Sequence, residues 1–191
     1  GAVSPPGGDV ADPVTVATLN IVQVYWSLDK KLAQRKHFPS INWISSNSNY
    51  ELILETFFNN FNPMFIENKN LFKKILQDED DLTEVVQLIG KDSLSEDQKL
   101  ILDIAKVIKD EFLAQNGTTE YDYFCPLSKS TGMLNMIAQY FNLGMRTIKE
   151  GTGENKKTWQ HIKLKTIEHW NDLHQLKFLE PKKPDSEFDK L

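Results

Sequence analysis

Residues 91–117 read KDSLSEDQKLILDIAKVIKDEFLAQNG, and this stretch sets the fold class. Lys91 to Gln98 make a short acidic turn in which Ser95 begins a capping pattern, its hydroxyl placed to accept from the free N–H groups at a helix start. Beyond it the apolar residues fall at Leu100, Ile101, Ile104, Val107, Ile108 and Phe112, the spacing of a single helical face. The helix therefore runs to about Ala114, and Asn116-Gly117 breaks it. A stripe this wide is stable only when buried against other elements, so the chain around it should supply helices.

It does so on both sides. Toward the C-terminus, Tyr121 to Pro126 (YDYFCP) reads as an aromatic loop, Thr131 to about Lys149 and Thr158 to about Gln175 read as helices, and the charged tail 180–191 reads as loose. Toward the N-terminus, Asp80-Asp81 places negative charge at the start of a helix LTEVVQLIG that Gly90 ends, with another helix over about 64–78 before it. Pro63 closes the connection preceding that one. Asn49 is placed to cap a helix carrying Leu52, Ile53, Leu54, Phe57 and Phe58, after a polar loop at 45–49. Asp12-Pro13 is a helix-start pair, and Val16, Leu19, Val22, Trp26 and Leu28 predict one first helix from about 13 to 36. No internal repeat is evident.

Composition narrows the classes of function. With 191 residues, 40% of them hydrophobic, the chain can bury one sizeable core or one core plus part of a second. Its net charge of -5 and pI of about 5.4 argue against nucleic acid as a main partner, because phosphate-binding faces show as a basic excess. Cys125 stands alone, and His37, His161, His169 and His174 lack zinc-ligand spacing, so a reducing, cytosolic setting fits. No apolar run approaches the roughly 20 residues that cross a bilayer, and no signal segment opens the sequence. Residues 1–12, GAVSPPGGDVAD, resemble an internal connection and suggest a piece of a longer chain.

Several short motifs carry less than their pattern promises. GTGENKKT at 151–158 imitates a phosphate-cradling loop, but the second glycine is missing and a helix, not a strand, precedes it, so it reads as a turn. SPPGGD at 4–9 also reads as a turn, and Asn116-Gly117-Thr118 is a chance glycosylation match. The carboxylates of LQDEDDL and LSEDQ are explained by helix dipoles and solvation. QRKHFPSINW, residues 34–43, is more pointed: Pro39 fixes its own φ and pushes Phe38 into extended geometry. A ring projecting from a constrained corner serves as a core plug or as a ligand-stacking platform.

Long segments together carry a family resemblance. Residues 1–43 resemble the end of the nucleotide-binding domain in the catalytic A subunits of V-type proton ATPases. EDDLTEVVQLIGKDSLSEDQKL, DEFLAQNG and YDYFCPLSKSTGMLNMI resemble successive parts of those subunits' helical C-terminal domain. The resemblance implies a mainly α fold: the tail of a RecA-like α/β domain over 1–44, then a C-terminal helical bundle over 45–191. It implies that Phe38 stacks on the adenine of bound nucleotide, with Gln115, Asn116, Gly117 and Thr118 as the second wall. Relatives often carry an aromatic where this chain has Thr118, so that wall is weaker here or is replaced by Tyr121 or Phe124.

The resemblance further implies that Asp92, Ser95, Glu96 and Asp97 face a rotating central shaft, whose basic coiled coil an acidic rim would steer. The implied partners are B subunits alternating with A subunits in a ring of three pairs, the shaft and a peripheral stalk, on the cytosolic face of an acidifying membrane. ATP or ADP with Mg²⁺ would be bound by the full-length protein. This chain, lacking the P-loop lysine, the Mg-binding hydroxyl and the general-base carboxylate, should not hydrolyse ATP alone. The rival reading is a non-catalytic helical interaction domain whose acidic turn and apolar faces bind a partner.

Overall fold

A computed structural model describes residues 1–4, 11–151 and 157–180. The motif stretches SPPGGD and GTGENKKT lie largely outside these residues, as does nearly all of the tail after Glu180.

The described residues up to Ser48 make a small sheet with two short helices. Strands β1 (Ala2–Val3) and β2 (Val24–Trp26) pair in parallel, Ala2 with Tyr25, and β3 (Asn47–Ser48) pairs antiparallel to β2. Helix α1 spans Pro13–Ile21; Asp12 caps it, its carboxylate accepting from Thr15 N–H at 3.1 Å, with Pro13 at the first position. A single helix to residue 36 is not what forms. The chain turns extended at Val22, where ψ is 147°, because Val24, Tyr25 and Trp26 are β-branched or aromatic and satisfy their backbone across two neighbours. Helix propensity yields there to ladder pairing.

Helix α2 (Lys30–Gln34) restarts behind Asp29, whose carboxylate accepts from Lys31 N–H at 2.6 Å. It ends at Lys36, which adopts φ 60°; Lys36 N–H donates to Ala33 and His37 N–H to Leu32, each at 3.0 Å. These paired bonds are a helix-closing motif that normally recruits glycine, and here a lysine bears the left-handed residue. The closure launches Phe38-Pro39 outward.

The bundle follows. Helix α3 (Glu51–Phe61) is uncapped by Asn49, whose backbone and side chain instead bond to Gln23, just ahead of β2. Helix α4 runs unbroken over Phe65–Ile89, so the helix boundary expected near residues 78–81 is absent. The reason lies in the stripe Phe72, Ile75, Leu76, Leu82 and Val86, which keeps one face apolar straight through the acidic run while Asp80 and Asp81 point to solvent. Gly90, at φ 81°, ends it. Helix α5 (Glu96–Val107) then widens into a π-helical turn over Ile108–Leu113, followed by α6 (Glu120–Tyr123) and α7 (Leu127–Glu150). Helices α8 (Trp159–Lys165) and α9 (Ile167–Gln175), separated at Thr166, and a 3₁₀ turn at Leu176–Phe178 are the last elements among the described residues, where one helix over 158–175 was expected.

α4, α5 and α7 share the core, with Leu100, Ile104, Ile108 and Ile137 fully buried. α7 approaches so closely that a Cβ on Gly144 would sit 3.1 Å from a Leu100 methyl, which explains a glycine in mid-helix. Trp159 and Trp170, 5.8 Å apart edge to face, lay α8 and α9 over this core.

Candidate functional site

The corner after α2 leaves Phe38 53% exposed, so it is no core plug. Its carbonyl accepts a 2.7 Å hydrogen bond from Gln115 N–H, which pins the corner to the loop that ends the π-helical turn. Two segments far apart in sequence thus meet edge to edge. Gln115, Asn116, Gly117 and Thr118 are all exposed there. Asn116 organises the loop: its Oδ1 accepts from Thr118 N–H at 3.1 Å and Thr118 Oγ1 at 2.7 Å, and its own N–H donates to Asp122 Oδ2 at 2.9 Å.

Beneath the corner lies a cavity of about 280 Å³, lined among others by His37, Trp43, Glu111, Gln115 and Lys129. Trp43 anchors the corner in the bundle core, with the His37 ring edge-on at 5.7 Å and the Lys109 ammonium 5.3 Å from its centroid. Burial, with help from Arg35, Lys109 and Lys177, pushes the His37 pKa below its ordinary value of 6.5 against the opposing pull of Asp110. His37 therefore sits neutral at physiological pH.

Two lysines behind the loop were not singled out by sequence. Lys177 Nζ donates to the carbonyls of Asp110 and Ala114, both at 3.0 Å. Lys129, only 1% exposed, donates to the carbonyls of Tyr121 at 2.8 Å and Lys177 at 2.7 Å. Desolvation lowers the Lys129 pKa. A lysine within an otherwise apolar helical stripe is the signal that could have flagged it, since such a group is buried only with acceptors waiting. Tyr121 packs edge-on against Phe178 at 5.0 Å, while Tyr123 and Phe124 are exposed.

The acidic turn is split by the fold. Asp92 is exposed on a 3₁₀ turn, Ser95 is exposed at the helix start with its N–H donating to Gln98 Oε1 at 3.0 Å, and Asp97 is half-buried. Glu96 turns inward instead: it accepts from Lys99 Nζ at 2.9 Å and from Trp159 N–H, the first turn of α8, at 2.6 Å. A carboxylate at a helix N-terminus is well placed electrostatically, and here it ties Lys99 and the start of α8 together. Nearby, Asp103 accepts from Trp159 Nε1 and Lys163 Nζ at 3.0 Å and from Lys91 Nζ at 3.1 Å. Desolvation would raise its pKa, but these three donors outweigh it and hold the carboxyl below its usual range.

Among the described residues no three His, Cys, Asp or Glu side chains converge on a metal-sized site, and no helix is long and apolar enough to cross a membrane.

The chain is similar to known proteins over nearly its whole length. The family described as the C-terminal domain of V and A type ATP synthase matches residues 54–157, and the nucleotide-binding domain of the ATP synthase alpha/beta family matches residues 1–48. The catalytic A subunit of the V-type proton ATPase from Dictyostelium discoideum is 50% identical over 181 residues, 95% of this chain and 29% of that protein. The Caenorhabditis elegans protein of the same description is 52% identical over 182 residues, 95% of this chain and 30% of its own length. The chain thus spans about 30% of the curated relatives it matches. A solved ATP synthase subunit from Nanoarcheaum equitans superposes with a TM-score of 0.60 at 22% identity, over 72% of this chain and 34% of that one, a likeness of fold.

Proposed function

Since this chain belongs to the family of C-terminal domains of V and A type ATP synthases, we propose that it is the base-gripping and shaft-driving part of the catalytic A subunit of a V-type proton ATPase. In that protein, residues 1–44 complete a nucleotide-binding domain, and the pairing of β3 on β2 supports a division close to that point. The bundle that follows acts as a lever. The observation that carries this reading is the Phe38 to Gln115 bond, which brings an exposed aromatic ring and the 115–118 loop together at the junction of the two parts.

The chemistry assigned to these residues is recognition. Phe38 offers a face for stacking the base, and the 115–118 backbone walls its edge. Asn116 stiffens that wall, so that little conformational freedom is lost when nucleotide arrives. With Tyr121 held against Phe178, Thr118 and Phe124 are the side chains left to complete the second wall. The phosphates and Mg²⁺ require other groups: among the described residues no three His, Cys, Asp or Glu side chains come together.

Hydrolysis, rotation of a central shaft and proton transport are then activities of the whole complex, with B subunits, shaft and peripheral stalk as partners and the cytosolic face of an acidifying membrane as its place. Asp92, Ser95 and Asp97 are the shaft-facing groups, and Glu96 supports them from within. The test is Phe38→Ala in the assembled complex. Base stacking is worth about 1 to 3 kcal/mol, so ATP affinity should fall roughly 5- to 150-fold with folding intact. Unchanged affinity would remove Phe38 from the pocket.

A further inference from the structure

The π-helical turn at the end of α5 raises a question of hydrogen-bond accounting. Within it Ala114 N–H donates five residues back, to Lys109 O, at 2.9 Å. If the pattern continued, Gln115 N–H would return to Asp110 O. Instead Gln115 N–H goes to Phe38 O, and the Asp110 carbonyl is taken by Lys177 Nζ, which also holds the carbonyl of Ala114. An ammonium with three donors thus substitutes for the backbone donor that the corner has claimed.

Lys177 is itself held. Its carbonyl accepts from the buried Lys129 Nζ, whose second bond goes to Tyr121 O at the far end of the same loop. Phe178 then packs on the Tyr121 ring. Both ends of the 114–121 loop are therefore tied to one 3₁₀ turn at the end of the described chain.

The geometry points to Lys177, locked by Lys129 and Phe178, as a positioning residue for the base site: a clasp that frees Gln115 N–H to bind Phe38 O and so sets the spacing between the two walls. Lys177 is assigned no contact with nucleotide. It acts through the loop, and this inference rests on the reading of Phe38 as a base platform.

The experiment uses the full-length protein within its assembled complex, with KM for ATP and kcat measured for Lys177→Met, Lys177→Arg, Phe178→Leu, Phe38→Ala and the Phe38→Ala/Lys177→Met double variant. Lys177→Met should raise KM about three- to tenfold with kcat within about twofold. Lys177→Arg should restore KM, because its guanidinium can serve both carbonyls. The double variant should raise KM less than the product of the single effects, since a clasp has nothing to position once the ring is gone.

An unchanged KM in Lys177→Met, with KM raised in Phe38→Ala, overturns the clasp and leaves the base site standing. An unchanged KM in Phe38→Ala overturns the base site and the clasp with it. A fall in kcat at constant KM also overturns the clasp, as would multiplicative effects in the double variant. Should Lys177→Met fail to assemble, Phe178→Leu decides: a raised KM supports the clasp and an unchanged one overturns it.

Discussion

In the bundle, Ile75, Leu100, Ile104 and Ile137 lose essentially all contact with solvent, and the charged groups between helices find partners. In the sheet segment, α1 buries none of its residues, Ile21 is 78% exposed, and the Tyr25 hydroxyl is buried without a hydrogen-bond partner among the described residues. The core formed by α4, α5 and α7 disposes of its apolar surface internally; the sheet segment, like α3 with Leu52 82% exposed, offers much of its own outward. A bundle packed to interior density moves as a unit, whereas a half-covered sheet is shaped by whatever packs on it. Phe38 stands where these regimes meet, its backbone fastened to the bundle and the residue half open to solvent.

The contrast breaks most easily in the core. Ile104→Ala should destabilise the chain by about 2 to 5 kcal/mol, since it opens a cavity between α4, α5 and α7. Ile21→Ala should stay within about 0.5 kcal/mol. Denaturant unfolding of the two variants checks both. Similar losses would mean that the sheet segment shares the bundle's core, and the division would fail.

Sequence carried the bundle well and the sheet poorly, for a physical reason. The face from Leu100 to Phe112 is repeated signal, and its cap at Ser95, its break at Asn116-Gly117 and the stop at Gly90 are where periodicity places them. At residues 22–28 only a few apolar positions were available, and Val22, Trp26 and Leu28 fit a helical period by coincidence. What decides their strand is pairing with Ala2 and Asn47, a contact no local window contains. The acidic run in α4 misled in the opposite direction: charge at 80–81 looks like a helix start, yet the stripe beneath it never breaks. At the corner, Pro39 marked Phe38 as a projecting ring but left plug and platform open, whereas Lys177 depends on a carbonyl released by the π-helical turn and has no local signature.

A smaller effect sharpens how α8 is held. Asp103→Ala leaves Trp159 Nε1 and two lysines without their acceptor, which should cost about 1 to 3 kcal/mol. The pH dependence has a definite sign. Because the folded Asp103 binds its proton less readily than the ordinary value of 3.8, its contribution is present above that value and lost as pH falls through the lower folded one. Wild-type chain should therefore lose more stability than Asp103→Ala across the acid range below about pH 4. Parallel acid-unfolding curves would refute this role for the carboxylate.

The finest division runs within the acidic turn itself. Glu96 and Asp92 are near neighbours of equal charge, yet Glu96 caps α8 through Trp159 N–H while Asp92 faces solvent. Glu96→Gln should cost about 1 kcal/mol, because a charged acceptor at a helix start becomes a neutral one. Asp92→Asn should change stability by less than about 0.5 kcal/mol. In the assembled complex the order should reverse: neutralising Asp92 with Asp97 should alter torque on a basic shaft while ATP affinity holds, since steering by exposed charge depends on net sign and weakens with salt. If torque were insensitive to these charges, or fell only in step with chain stability, the outward half of the turn would be no more than a solvated corner.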